Sequence, residues 1–125
     1  MAIPSDSELE ILKLFWTAGP MSAREAQDRI EPQLGWAVST TRTVLDRMAA
    51  KGLLKRRSVH GMKVYEPARS KVETLGAVLK KLVRDVLEID GDLPTAAFTG
   101  SQILTKEEIV ELEAIINADE TGDAS

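Results

Sequence analysis

Seven Lys and Arg side chains fall between Val38 and Lys63, a stretch whose only acid is Asp46, in a chain of net charge −4. We call this stretch the basic window. Its cations are Arg42, Arg47, Lys51, Lys55, Arg56, Arg57 and Lys63. Clustered cations bind the phosphates of a polyanion, because each neutralised phosphate releases condensed counterions. The chemistry that this spacing indicates is therefore phosphate binding.

The first half of the basic window predicts a helix from about Thr40 to Lys51, capped by Ser39. One stripe of this helix is apolar, and the opposite arc carries hydroxyls and arginines. Arg suits the O6/N7 edge of guanine and a Thr methyl suits that of thymine, so this arc could read bases in a major groove. The alternative is an ordinary solvated helix face. The predicted DNA-contacting residues of this helix are Ser39, Thr40, Arg42, Thr43 and Arg47.

The second half predicts a β-hairpin, with strands at about 53–58 and 62–67 and its tip at His60 and Gly61. A helix followed by such a hairpin has the order of a recognition helix and a wing. Because side chains alternate across a strand, Lys55 and Arg57 share one face and Arg56 lies on the other. The alternative is a solvated hairpin, with His60 as a turn residue only. The predicted backbone or minor-groove contacts are Lys55, Arg57, His60 and Lys63.

The remaining helices are predicted from four Ser/Thr-x-x-Glu capping boxes, at Ser5, Ser22, Ser70 and Thr105, each followed by apolar residues at helical spacing. Helices are expected at about 6–17, 23–31, 71–89, 95–100 and 106–117. Trp16 and Trp36 are expected in the core. The fold class is therefore mainly α with a small β-hairpin wing: a winged helix-turn-helix (1–69), a C-terminal helical dimerisation region (70–118) and a flexible tail (119–125).

The C-terminal helices are expected to bury too little on their own, so a second copy of the chain would cover them. The alternative packs Leu75, Leu79 and Leu82 onto the winged helix of the same chain. Residues 68–125 hold six Lys/Arg and twelve Asp/Glu, which indicates that this half points away from DNA. The predicted dimerisation residues are Val72, Leu75, Leu79, Leu82, Val83, Val86, Ile109, Leu112 and Ile116.

Composition argues against several other functions. The chain has no Cys and one His, so thiolate, redox and most zinc sites are not expected, and no cofactor or metal is predicted. A run of about 18 apolar residues is missing, as is a signal peptide. Membrane insertion is therefore not expected, and the expected location is the cytoplasm. Without a nucleophile, base and orienting group in suitable context, neither an enzyme nor a small-molecule substrate is predicted.

Three motifs resemble the penicillinase-repressor (BlaI/MecI/CopY) family of bacterial transcription regulators. They are Glu10 to Trp16 before Gly19-Pro20, Thr40 to Met48 followed by Lys51-Gly52-Leu53, and Val64-Tyr65-Glu66-Pro67. The resemblance spans the chain to about Asn117. It implies a homodimeric winged-helix repressor that binds a pseudo-palindromic double-stranded DNA operator.

Some members of that family are cut in the dimerisation segment when a membrane sensor protease responds to a β-lactam. The bond cut there joins an Asn to a Phe, and the matching positions here are Ala97 and Phe98, so the Asn is replaced. Ala97 and Phe98 are the candidate cleavage site, and a membrane sensor protease is a candidate partner. The copper-responsive branch uses clustered cysteines, which this chain lacks.

A second class of function stays open, because a winged helix can also serve as a protein interaction module that binds no DNA. The acidic C-terminal half would then be its surface. The basic window favours DNA, since a pure protein adaptor has little reason to concentrate positive charge there.

Overall fold

The computed structural model describes residues 2–83 and 100–122 and divides the chain into two compact units, Met1–Ser70 and Lys71–Ser125. The first unit contains α1 (Asp6–Ala18), β1 (Met21–Ser22), α2 (Ala23–Leu34), α3 (Val38–Ala50), β2 (Leu54–Val59) and β3 (Met62–Pro67). The second contains α4 (Lys71–Lys81) and α5 (Lys106–Gly122). With α2 and α3 as a helix-turn-helix and a hairpin behind them, the first unit is a winged helix, as predicted.

Three of the predicted capping boxes are formed. Ser5 Oγ accepts the N–H of Glu8 at 3.3 Å, while the Ser5 N–H donates to the Glu8 carboxylate at 2.9 Å. The same reciprocal bonds link Ser22 with Glu25 and Thr105 with Glu108. Each box satisfies amides that the first helical turn would otherwise leave unpaired, which fixes where α1, α2 and α5 begin.

The end of α2 differs from the prediction, because the helix runs through Pro32 to Leu34 instead of stopping at Glu31. Proline removes one backbone bond, to the carbonyl four residues earlier, but a residue in the last turn can lose that bond without ending the helix. The helix instead ends at Gly35, whose φ of 68° is left-handed and whose N–H donates to the Glu31 carbonyl at 2.8 Å.

The start of α3 also differs from the prediction. The residue before the helix is Ala37, with extended backbone angles, and helical geometry begins at Val38. Ser39 was predicted as the cap, but it lies inside the first turn, and Ala37 has no side-chain oxygen that could cap the helix. The prediction of Ser39 as the cap is therefore wrong, and its hydroxyl is not needed by the first-turn amides.

The sheet has three antiparallel strands in the order β1-β3-β2. The hairpin of β2 and β3 agrees with the prediction, but β1 was not predicted: it is a two-residue strand that pairs Met21 with Tyr65 and Ser22 with Val64. A strand this short has no alternation pattern to detect. It joins the middle of β3 to the segment between α1 and α2, which anchors the wing to the helices.

The core of the first unit gathers apolar side chains from every element. Its largest fully buried members include Tyr65, Phe15, Ile11, Leu12, Ile30, Leu45 and Met48. Trp16 and Trp36 are half-buried and pack against this core, as expected. This packing holds α3 with its apolar stripe inward and its polar arc in solvent.

The second unit has a small apolar core between its two helices. Val72 of α4 packs with Leu112 and Ile116 of α5 in a core of their own, with Leu75 and Leu79 against it. Val83 and Ile109 are buried as well, whereas Leu82 is 41% exposed. Most of the predicted dimerisation residues are therefore covered inside one chain, because α5 folds back along α4. Their part in a contact with a second copy of the chain stays a prediction.

Helix α4 and helix α5 approach closely at Gly76, where an added Cβ would lie 2.9 Å from Ile115 Cγ2. Helix α5 continues to Gly122, so residues 119–122 are helical and not part of the predicted tail. The predicted helix at 95–100 lies almost entirely outside the described residues, as does the part of the 71–89 helix beyond Val83. Within residues 2–83 and 100–122, no helix has the length and hydropathy needed to cross a membrane.

Candidate nucleic-acid interface

The exposed arc of α3 carries all five residues predicted to contact DNA from this helix: Ser39, Thr40, Arg42, Thr43 and Arg47. Four of them, all but Arg42, line one shallow groove. The Thr43 hydroxyl donates to the Ser39 carbonyl at 2.9 Å, which fixes the side chain and leaves its methyl for apolar contact. This facet therefore offers hydroxyls, a methyl and one guanidinium on a rigid helix.

Arg42 lies on the neighbouring facet of α3, towards the hairpin. With Asp46 it lines a groove of about 560 Å³ whose other walls include Met62, Lys63 and Tyr65 of β3 and the start of α2. The groove thus runs between the recognition helix and the wing. Two of its cations, Arg42 and Lys63, belong to the basic window.

The structure divides the seven cations of the basic window by their partners. Lys51 Nζ lies 2.7 Å from the carboxylate of Glu8, which is only 6% exposed. Burial alone would raise the pKa of Glu8, but the hydrogen bonds from Lys51 and from the Ser5 N–H hold that pKa below its usual value. Lys51 therefore joins the end of α3 to the start of α1 and serves the fold.

The cations of the hairpin are paired as well, with one exception. Arg57 Nε lies 3.1 Å from the Glu66 carboxylate. Arg56 and Lys63 both point to Asp46, at 3.4 and 3.6 Å. Among the described residues, Arg42, Arg47 and Lys55 have no carboxylate within ion-pair distance, and all three are exposed. Because no carboxylate in the described residues neutralises these three cations, they are the most available to bind a phosphate or a base.

The register of the hairpin assigns each wing cation to a face. Arg56 pairs with Tyr65 and Ser58 with Lys63, so Arg56, Lys63 and Tyr65 share the face turned towards α3. Lys55 pairs with Glu66 and Arg57 with Val64, so Lys55 and Arg57 share the opposite face. The predicted alternation is confirmed, and Lys63 lies on the opposite face from Lys55 and Arg57.

The tip of the wing is a two-residue turn in which both His60 and Gly61 have positive φ, 52° and 79°. A two-residue turn with positive φ at both positions has a backbone twist that matches the right-handed twist of the flanking strands. His60 is exposed and acts as the turn residue that sequence analysis gave as the alternative. Next to it Met62 is 56% exposed, an apolar side chain at the wing tip that the charge pattern did not single out.

A buried polar contact that was not predicted from the sequence links α2 to α3. The hydroxyl of Thr41, which is fully buried, donates to the side-chain carbonyl of Gln27. The Gln27 amide donates in turn to the Trp36 carbonyl at 2.8 Å, in the segment between the two helices. Nothing in the sequence distinguishes Gln27 from Gln33, the other glutamine of α2. The contact therefore helps to hold α3 against α2.

In the part of the chain that the structure describes, no three His, Asp or Glu side chains converge to hold a metal ion. Val86, Ala97 and Phe98, three of the predicted site residues, lie outside the described residues.

Comparisons with known proteins agree with this geometry. Two regulators named methicillin resistance regulatory protein MecI, from Staphylococcus aureus and Mammaliicoccus sciuri, are each 24% identical over 113 residues, or 90% of this chain and 92% of theirs. An uncharacterised 16.5 kDa protein of Latilactobacillus sakei is 23% identical over 112 residues, which is 90% of this chain and 77% of its own.

A solved structure resembles part of the fold. It is the monomeric form of the Bacillus licheniformis repressor BlaI in complex with the blaP half-operator, with a TM-score of 0.51 and 28% identity over 58% of this chain and 90% of that one. The sequence profile described as "Penicillinase repressor" matches residues 4–118. A match over nearly the whole length shows that the chain belongs to the penicillinase repressor family.

Proposed function

We propose that this protein is a transcriptional repressor that binds a double-stranded DNA operator through α3 and the wing. The observation that carries the proposal is the set of three exposed cations without carboxylate partners in the described residues, Arg42, Arg47 and Lys55, on a winged helix of the penicillinase repressor family. A relative with this fold is known in complex with a half-operator. Charge, shape and family therefore lead to the same function.

Helix α3 would enter the major groove with its hydroxyl facet towards the bases. Arg47 suits a guanine edge, and Thr40 and Thr43 suit a thymine methyl or a hydrogen bond to a base or phosphate. Arg42, beside the wing, is placed to meet the backbone that flanks the groove. Ser39, freed from the capping role, joins this facet as a hydrogen-bonding group.

The wing would follow the sugar-phosphate backbone next to α3. Lys55 and Arg57 occupy one face of the hairpin and His60 its tip, while Lys63 lies on the face turned to α3. These groups would fix the position of the domain on the duplex, since phosphate contacts position a protein without reading sequence.

The repressor would act as a homodimer, because operators read by such domains match a two-fold axis. The second unit supplies an apolar groove of about 360 Å³ lined in part by Leu79, Leu82 and Ile103. Leu82 and Ile103 are 41% and 42% exposed. We therefore place the contact with a second copy on this groove, and not on the α4 and α5 side chains that face each other.

Release of the repressor by a membrane sensor protease remains a prediction from the family resemblance. The candidate bond between Ala97 and Phe98 lies outside the described residues. Incubation of the protein with membranes of β-lactam-treated cells, followed by mass spectrometry of the fragments, would test it: a cut at this bond supports the prediction, and an uncut chain contradicts it. As a repressor, the protein would act in the cytoplasm, where its operator lies.

The alternative function is a protein interaction module that uses the acidic second unit and binds no DNA. Selection of genomic fragments by the purified protein separates the two. The repressor enriches discrete fragments, and its affinity for them falls steeply with salt because several phosphate contacts release counterions. Failure to enrich any fragment at low salt would contradict the proposal and favour the adaptor.

A further inference from the structure

Asp46 is an acid at the centre of a surface that otherwise suits DNA. It is the only acid of the basic window and is a little under half exposed on α3, one turn from Arg42. An exposed carboxylate in this position repels phosphate, so its presence weakens DNA binding unless it does something else. The contacts of Asp46 indicate a second role for this carboxylate.

Three groups of the wing converge on this carboxylate. The Tyr65 hydroxyl donates to Asp46 Oδ1 at 2.6 Å, and Arg56 Nη1 and Lys63 Nζ lie 3.4 and 3.6 Å from the same oxygen. The Lys63 ammonium also lies 5.5 Å from the centroid of the Tyr65 ring. We call these four residues the wing tether.

Tyr65 is the rigid member of the wing tether. Its side chain is 1% exposed, and its backbone pairs with Met21 on one side and Arg56 on the other in the middle strand of the sheet. Its hydroxyl therefore has a fixed position, and the short bond to a charged acceptor is of the stronger kind. The bond joins the hairpin directly to the exposed arc of α3.

We propose that Asp46 is a positioning residue that holds the wing against the recognition helix, so that both meet the operator in one register. Asp46 acts through Tyr65, Arg56 and Lys63 and does not itself contact DNA. The proposal rests on the function proposed above and adds a determinant of operator specificity to it.

A purely repulsive role for Asp46 predicts the opposite change in operator affinity. If Asp46 were only a repulsive charge, Asp46→Asn would raise affinity for every DNA sequence, because the surface loses one negative charge. If Asp46 positions the wing, Asp46→Asn still raises affinity for random DNA but lowers affinity for the operator. The ratio of operator to random-DNA affinity therefore distinguishes positioning from charge.

Glu66 supplies a matched control. It too is an acid beside the basic window, and it pairs with Arg57 on the face of the hairpin that lies away from α3. Glu66→Gln makes the same change of net charge and frees one wing cation without touching the wing tether. Tyr65→Phe is the complementary variant, since it removes only the hydroxyl.

The experiment measures the affinity of the full-length protein for a selected operator and for random duplex of equal length, at several salt concentrations. We expect Asp46→Asn and Tyr65→Phe each to lower the operator-to-random ratio by about tenfold, in line with loss of a charge-assisted hydrogen bond. Their double variant should lose little more than either alone. Glu66→Gln should leave the ratio unchanged.

A readout without DNA keeps this test separate from the proposed function. The chain has one tyrosine, so the absorbance of its phenolate reports Tyr65 alone. Burial, together with the hydrogen bond to Asp46, raises the pKa of Tyr65 above its usual value. Asp46→Asn should therefore lower the pKa of Tyr65, and Glu66→Gln should not.

The outcomes separate cleanly. If the wild-type protein binds no DNA, the proposed function is wrong, and the phenolate titration alone decides whether the wing tether exists. If it binds and Asp46→Asn raises operator and random affinity alike, lowers both alike, or matches Glu66→Gln, the positioning role is overturned while the repressor stands. An unchanged titration in Asp46→Asn would overturn the wing tether itself.

Discussion

The carboxylate of Glu8, at the first turn of α1, lies 2.7 Å from the ammonium of Lys51, the residue that follows α3. The same carboxylate accepts the N–H of Ser5, so one buried acid closes a helix cap and binds a cation 43 residues away. A lysine that the sequence places among phosphate-binding cations is thus engaged in holding the winged helix together.

Replacing Lys51 by Ala should therefore affect stability more than DNA binding. Lys51 is 38% exposed, so solvent screens the pair, and we expect a loss of about 1 kcal/mol in the free energy of unfolding. Urea denaturation measures this loss. Operator specificity should stay that of the wild type, and a variant that unfolds normally but no longer discriminates its operator would show that Lys51 reads DNA.

The stability of the winged helix should also fall in acid, because carboxylates in it have lowered pKa values. Hydrogen bonds lower the pKa of Asp46, chiefly the bond from Tyr65, and hold that of Glu8 below its usual 4.5 despite its burial. A folded-state pKa below the unfolded one stabilises the fold in full above the unfolded pKa, and this stabilisation is lost as pH falls through the folded pKa.

We therefore expect the free energy of unfolding to be constant near neutral pH and to decline below about pH 4.5. Urea denaturation across pH 3 to 7 measures the decline, at roughly half-unit steps. Glu8→Gln should make the acid decline shallower, because one carboxylate with a lowered pKa no longer titrates. An acid decline as steep as that of the wild type would contradict the assignment to Glu8.

Thr41 should be sensitive to the loss of its hydroxyl alone. Thr41→Val keeps the shape of the side chain but leaves the Gln27 carbonyl without its donor, at a cost of about 1 to 3 kcal/mol in unfolding free energy. Thr40→Val, one residue earlier and exposed, should change stability by less than about 0.5 kcal/mol. Equal effects of the two variants would contradict a structural role for the Gln27–Thr41 contact.

Leu82 and Ile103 should contribute to the proposed homodimer interface. Substituting both by Ser should leave the fold intact, because both are more than two-fifths exposed, but should raise the dimer dissociation constant. Sedimentation over a range of concentrations measures it. Val110→Ser, at a still more exposed site on α5, serves as the control. A double Ser variant that dimerises like the wild type would remove the groove from the interface.

Much of the fold could be predicted because its signals are local. Capping boxes place the starts of α1, α2 and α5, and the β-hairpin and its turn follow from alternation around His60 and Gly61. The errors have physical causes. The role of Gln27 depends on a partner 14 residues away, β1 is too short to show a period, and α5 covers α4 through tertiary packing that no local pattern encodes.

The helix and the hairpin that form the site were predicted from the sequence, but the role of each cation in them was not. Charge alone could not distinguish Lys51, held by Glu8, from Arg47, which has no carboxylate partner in the part of the chain that the structure describes. Nor could it assign Arg56 and Lys63 to Asp46, since that contact needs the hairpin register and the position of α3 together. Ion pairing in the described residues therefore separates four cations of the basic window, which have carboxylate partners, from three that have none.

The central claim is that the exposed arc of α3 reads DNA, and Arg47 tests it most directly. The measurement is the affinity of the wild type, of Arg47→Ala and of Lys13→Ala, a control on α1, for operator and random duplex as salt is varied. We expect Arg47→Ala to weaken operator binding by about 1 to 3 kcal/mol and to relax specificity, with Lys13→Ala unchanged. Operator binding by Arg47→Ala that equals that of the wild type, or wild-type affinity that does not change with salt, would contradict the account.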